Sequence, residues 1–264
     1  MDAVDNTSLA QMLNKVPQVT IFFWIIKILA TTVGETAADF LSVKLGLGLT
    51  GTTYIMGALL LAALAVQLRA RRYIPVIYWV TVVLLSVVGT LVTDNLVDNF
   101  GIALQTTTMI FGVALAATFI AWYVSERTLS IHTIHTTRRE LFYWAAILFT
   151  FALGTAAGDL LAEGLGQGYA VSALIFAAAI GVITMGHYGF KLNAVFAFWA
   201  AYVITRPLGA SLGDLLSQPA TSGGMGLGTV GTSALFLAAI AALIVFLTRN
   251  PQREALPAVT AERG

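Results

Sequence analysis

Polar residues are sparse along this chain and recur at a fixed spacing. Eight apolar stretches lie at about 19–41, 50–68, 73–94, 103–124, 141–162, 169–188, 191–215 and 228–248. Each is close to the roughly 20 residues an α-helix needs to cross a bilayer. Every odd-numbered stretch carries a Trp followed by Gly ten residues on and Asp fifteen residues on: Trp24/Gly34/Asp39, Trp79/Gly89/Asp94, Trp144/Gly154/Asp159 and Trp199/Gly209/Asp214. Four of the five Trp and four of the seven Asp obey this template, so the chain is an internal repeat and not a chance composition. The pattern predicts an all-α integral membrane protein of eight transmembrane helices, arranged as four parallel two-helix repeats.

Counted from each Trp, positions +7, +11, +15 and +19 are four apart and share one helix face. They read Thr31, Glu35, Asp39, Val43 in the first unit; Ser86, Thr90, Asp94, Asp98 in the second; Phe151, Thr155, Asp159, Glu163 in the third; and Arg206, Ala210, Asp214, Gln218 in the fourth. Lys27, four residues before Thr31, extends the first stripe. Seven of the thirteen carboxylates fall on these faces, whereas the even stretches hold only neutral polar residues such as Thr52, Thr53 and Gln105 in their interiors. The odd helices are therefore expected to form an inner, polar-lined bundle. Small residues beside the stripe favour close helix approach. At about 1.5 Å per residue, the +15 Asp lies about 22 Å from its Trp, near the far boundary of a core about 30 Å thick, with Glu35 one turn deeper.

Composition sharpens the class. The chain is 58% hydrophobic and 10% charged, outside the range of soluble domains, and its net charge of +1 gives no footing for nucleic acid. It has no Cys, which removes disulfides, thiolate ligands and cysteine nucleophiles. Residues 1–18 precede the first stretch without a basic leader and cleavage site, so that stretch is expected to be retained as a helix. Arg69, Arg71, Arg72, Arg127, Arg138, Arg139, Lys191, Arg249 and Arg253 cluster on one side; Lys44, Asp98 and Glu163 lie on the other. The positive-inside rule then places both termini in the cytoplasm. The expected organisation is a cytoplasmic segment 1–18, repeats one and two over 19–124, a cytoplasmic linker 125–140, repeats three and four over 141–248, and a cytoplasmic tail 249–264. Trp spacings of 55, 65 and 55 residues predict two halves about a pseudo-twofold axis along the membrane normal.

Ionisable groups at membrane depth mark functional positions. The candidate transport and coupling residues are Glu35, Asp39, Asp94, Asp98, Asp159, Asp214, Lys27 and Arg206, with Thr31, Thr90, Thr155 and Glu163 in support. Glu35, Asp39, Asp94, Asp159 and Asp214 are the candidate metal ligands; oxygen donors of this kind suit a hard cation such as Mn²⁺, Mg²⁺ or Ca²⁺. The competing reading makes Glu35, Lys27 and Arg206 a buried ion pair that fixes register. Lys27 and Arg206 are each expected beside an acid of another stripe, with Glu35 the first choice. The Trp residues are read first as an interfacial belt, with inward packing as the alternative. Pro207 predicts a kink in the seventh helix, and His132, His135 and His187 are expected to be solvated.

The segments Lys27–Asp39 and Arg206–Asp214 carry a family resemblance. Over about 17–250 the chain resembles a bacterial membrane-protein family built from four tandem two-helix repeats, each with a Trp. That family is one of unknown function, so the resemblance implies a multi-pass protein of the bacterial inner membrane and no activity. The expected function is cation- or proton-coupled transport of a hard divalent metal or a small organic ion, with no cofactor. The lipid bilayer and a small ion or solute are the expected partners, nucleic acid is not one, and a homo-oligomer is left open. The alternatives are a membrane sensor or assembly protein without transport and, less favoured, an intramembrane enzyme. Against the enzyme, Ala156-Ala-Gly-Asp159 and Ser211-Leu-Gly-Asp214 lack the Gly-x-Gly-Asp signature of aspartyl intramembrane proteases.

Overall fold

The computed structural model describes residues 14–250. Residues 1–13 and 251–264, with the outer parts of the expected terminal segments and Arg253, lie outside the described residues. Among the described residues there are eight long helices and no strand: α1 (Ile21–Asp39), α2 (Gly48–Arg69), α3 (Pro75–Asp94), α4 (Leu104–Glu126), α5 (Thr137–Asp159), α6 (Tyr169–Phe190), α7 (Ala194–Ser217) and α8 (Thr229–Arg249). Each is long and apolar enough to cross a membrane. Their starts follow local chemistry. Pro75 occupies the first turn of α3, where its missing N–H costs nothing. Thr20, Thr136 and Asn193 cap α1, α5 and α7 through side-chain oxygens that accept from backbone N–H groups of the first turn. The cap at Thr136 starts α5 within the segment expected to be linker, so Thr137–Glu140 belong to the helix.

Burial separates two layers. The apolar windows of α1, α3, α5 and α7 are 56–67% buried, against 11–22% for α2, α4, α6 and α8. The four odd helices form a closed ring in which α1 packs on α3, α3 on α5, α5 on α7, and α7 back on α1. Around it, α2 lies against α3, α4 against α5, α6 against α7, and α8 against α1. Each outer helix thus docks on the inner helix of the following repeat, which interlocks the repeats.

One contact recurs at all four interfaces of the ring. A Cβ placed on Gly34 would sit 2.5 Å from Ser86 Cβ; on Gly89, 2.6 Å from Phe151 Cβ; on Gly154, 2.5 Å from Arg206 Cβ; and on Gly209, 2.5 Å from Thr31 Cβ. In repeat terms, position +10 of one unit meets +7 of the next, four times, and returns to its start. A contact that recurs head to tail either climbs into a helix or closes. It closes here, so no net axial rise accumulates and equivalent residues share a depth. The arrangement is a pseudo-fourfold ring, of higher order than the twofold expected from the Trp spacings.

The Trp residues correct a second expectation. Trp79, Trp144 and Trp199 are 1%, 4% and 5% exposed and Trp24 is half-buried, so they pack inward instead of forming a belt. Position −1 is aromatic in every unit as well: Phe23, Tyr78, Tyr143 and Phe198. With Tyr202 these rings pack against one another and against the Trp residues, edge to face or tilted except for the stacked pair Tyr78–Tyr143. They form an aromatic floor across the bundle at the end that carries residues 14 and 250. The helix of α7 continues through Pro207. His132 and His135 are exposed, while half-buried His187 contacts the Leu192 carbonyl through Nδ1 at 2.9 Å.

Candidate functional site

Arg206 anchors the centre. It is fully buried, and from position +7 of α7 its guanidinium reaches the +11 side chains of the other three inner helices. Nη2 donates to Glu35 Oε2 at 3.2 Å, to Thr155 Oγ1 at 2.6 Å and to Thr90 Oγ1, and Nη1 donates to the Thr31 carbonyl at 3.4 Å. Thr90 Oγ1 also lies 3.3 Å from both Glu35 Oε2 and Thr155 Oγ1. The fourth unit itself has buried Ala210 at +11, which contributes no polar group to this layer. The carboxylate–guanidinium pair joins residues 171 apart in sequence, as the stripes predict.

Lys27 does not follow that expectation. It is fully buried, yet no carboxylate lies within ion-pair distance among the described residues. Its Nζ sits 4.3 Å from the Tyr202 ring centre and 4.6 Å from that of Phe151, and donates to Thr31 Oγ1 at 3.4 Å. Thr31 in turn donates to the Lys27 carbonyl at 2.6 Å. Two aromatic faces therefore replace the expected acid; a desolvated cation–π contact stabilises by about 2 kcal/mol, which partly offsets burial of an ammonium. The Arg206 guanidinium also overlies Phe151, at 5.5 Å.

Above the Arg206 layer lie the acids. Carboxylate oxygens of Glu35, Asp159 and Asp214 come within 4.8 Å of one another, bringing together three of the five candidate metal ligands. Asp39 is half-buried and accepts from Gln218 Nε2 at 3.3 Å, while Asp94 is half-buried at the equivalent position of α3. Ring closure puts all four Asp at one depth. Gly213 faces Glu35, and Gly158 faces Ala210: a Cβ on either would meet the neighbour's Cβ at 3.2 and 3.5 Å. Small residues at +14 thus permit close packing around the carboxylates.

Asp98 and Glu163 lie beyond the Asp layer, at the solvent end of their helices. Both are exposed, as is Val43 at the same position of unit one. A single π turn follows the Asp in each of the first three units, Phe40–Lys44, Asn95–Asn99 and Leu160–Gly164. Closing bonds such as Leu45 N–H to Phe40 O and Phe100 N–H to Asn95 O, both 3.0 Å, span five residues instead of four. One extra residue rotates the end of the helix by about 100°, so +19 leaves the four-residue stripe and sits in the solvent beyond the Asp layer. Unit four has no such turn: Pro219 holds Gln218 extended, and Gln218 stays directed at Asp39. Glu163 instead accepts from Tyr169 Oη at 2.8 Å.

Two grooves, of about 810 and 640 Å³, lie at the other end, between α1, α6 and α7 and between α4 and α7. Neither is lined by a carboxylate, so neither belongs to this site.

Fold and site together define a multi-pass membrane protein with a pseudo-fourfold inner bundle and a buried arginine–carboxylate centre. The chain belongs to the family described as Repeat of Unknown Function (DUF347), whose four copies match residues 22–73, 77–128, 142–192 and 197–252. No curated protein and no solved structure matches the chain.

Proposed function

We propose that this protein is a transporter of the bacterial inner membrane, cation- or proton-coupled, with both termini cytoplasmic and its substrate site in the carboxylate layer. The observation that carries the reading is the approach of Glu35, Asp159 and Asp214 oxygens to within 4.8 Å directly above Arg206. Three carboxylates at that separation repel one another unless protons or a cation are shared among them, and one guanidinium offsets one charge. The layer is thus suited to exchange a proton for a hard cation such as Mn²⁺, Mg²⁺ or Ca²⁺, for which oxygen donors are apt. Exposed Asp98 and Glu163 give the far mouth an acidic rim that steers cations inward. Basic residues at the opposite end support the orientation.

The test is flux in proteoliposomes carrying a pH-sensitive dye, with each of the three metals supplied in turn. Metal uptake accompanied by counter-movement of protons, lost in Asp214→Asn, supports the reading. Absence of flux for metals and for small organic ions, from a folded protein, rejects it and favours a sensor or assembly role.

A further inference from the structure

The aromatic floor has a fastening below it that the transport site does not use. Lys15 is 6% exposed, and its Nζ lies 2.6 Å from Glu140 Oε2 and donates to the Leu68 carbonyl at 3.1 Å. Glu140, 1% exposed in the first turn of α5, also accepts from Gln67 Nε2 at 3.1 Å and from Trp144 Nε1 at 3.4 Å. The backbone is tied too: Lys15 N–H donates to Ile134 O at 3.0 Å, Ile134 N–H to Asn14 Oδ1 at 3.2 Å, and Tyr73 N–H to Asn14 O at 3.2 Å. Two consecutive residues thereby join the end of α2, the α2–α3 loop, the α4–α5 loop and the start of α5. Val16, Ile131 and Ile134 are buried in the same core as Tyr78, Tyr143 and Trp144, so this strap and the floor are one packed body. No other unit has an acid four residues before its Trp; the counterparts of Glu140 are Thr20, Pro75 and Val195.

We propose that Asn14 and Lys15 are a latch on this end of the bundle, and that parting Lys15 from Glu140 admits water through the aromatic floor to the axis. Its purpose in a transport cycle rests on the function proposed above; the latch itself is measured without any substrate. A strap of two residues released by one ion pair is a small cooperative unit of the kind that opens locally while the rest of a fold holds. Glu140 also bonds Trp144, so loss of its ionic partner is felt directly at the floor.

The chain has no Cys, so a single introduced thiol reports alone. Val82, fully buried at position +3 of α3, is the counterpart of Tyr202 and so lies at the inner edge of the floor, and Val82→Cys is the probe. It is measured in nanodiscs with a charged methanethiosulfonate reagent. Both faces are then open to reagent, and the comparison is independent of which face is cytoplasmic. Lys15→Gln and Glu140→Gln should each speed labelling about tenfold or more, because each leaves the other charge buried and unpaired. Combined, they should be no faster than the faster single variant, the signature of two residues acting through one contact. Unchanged labelling in folded single variants, or additive effects, overturns the latch. Where a variant fails to fold, hydrogen exchange on the unaltered protein decides: residues 14–16 and 131–134 should open together with one rate, and separate rates overturn the proposal. Failure of flux with successful labelling rejects the transporter and leaves the latch standing.

Discussion

Arg206 and Glu35 meet at 3.2 Å across the ring interface that closes the bundle, between the last inner helix and the first. Arg206 is fully buried and Glu35 nearly so. The pair therefore joins the two ends of the repeat array and, through Thr90 and Thr155, holds α3 and α5 to the same point. Four helices converge on one guanidinium.

Removing Arg206 should accordingly be costly. Breaking one member of a buried pair costs about 3–5 kcal/mol, so Arg206→Leu should lower thermal stability in detergent by many degrees. Arg206→Lys should recover little, since an ammonium cannot span Glu35, Thr90, Thr155 and the Thr31 carbonyl together. Arg206→Leu combined with Glu35→Gln should unfold later than Arg206→Leu alone. Scanning fluorimetry of the three variants checks this ordering, and a double variant weaker than the single would refute it.

Ring closure makes a second prediction. Gly154→Ala places a methyl 2.5 Å from Arg206 Cβ, whereas a Cβ at Gly57 on α2 meets nothing within 4 Å. Overpacking of this kind costs about 1–3 kcal/mol. Gly154→Ala should thus be clearly destabilised, and Gly57→Ala neutral or slightly stabilised by better helix propensity. Equal unfolding temperatures for the two would contradict the close interface.

Lys27 should behave unlike Arg206. No acid depends on it, and replacing a buried charge by an apolar chain of similar length is commonly neutral or stabilising. Lys27→Met should therefore unfold at the same temperature as the parent or higher. A marked loss of stability would show that the two aromatic faces and Thr31 contribute more than this accounting allows.

Much of this architecture is legible because each unit repeats the same arithmetic. Four-residue spacing places Glu35, Thr90, Thr155 and Arg206 on facing stripes, and the common +15 register places the four Asp at one depth. The phase fails beyond Asp39, Asp94 and Asp159. A π turn leaves no mark on residue spacing in the sequence, so spacing alone keeps Asp98 and Glu163 on the four-residue stripe that the helix has left by then. Lys27 departs from expectation because its partners, Phe151 and Tyr202, belong to distant units and hold the ammonium with ring faces, which leave no charge in the pattern. The aromatic floor has a readable signal in the residue before each Trp. Lys15 and Glu140 have none: they are 125 residues apart, and one of them precedes the repeat.

On the transport reading proposed above, Glu35 is the residue whose charge should matter to coupling. One of its oxygens takes hydrogen bonds from Arg206 and Thr90, while the carboxylate also faces Asp159 and Asp214 within 4.8 Å. Among the described residues it is the one acid that pairs with Arg206 and also approaches other acids. Ionised, it holds Arg206; protonated, it keeps its shape but loses the charge that pairs with the guanidinium, so a proton here changes what the layer offers a cation. Glu35→Gln retains size and hydrogen bonding while removing that exchange. In proteoliposomes the parent's flux should vary with pH across the range in which carboxylates are exchanged, and the Glu35→Gln protein should give flux without a pH dependence or driving effect of a proton gradient. Asp94→Asn, one turn along and away from Arg206, should instead weaken apparent affinity for the cation while keeping the response to pH. Parental pH dependence in Glu35→Gln would move the coupling site to another acid, and a Glu35→Gln protein that does not fold would assign the pair to architecture alone.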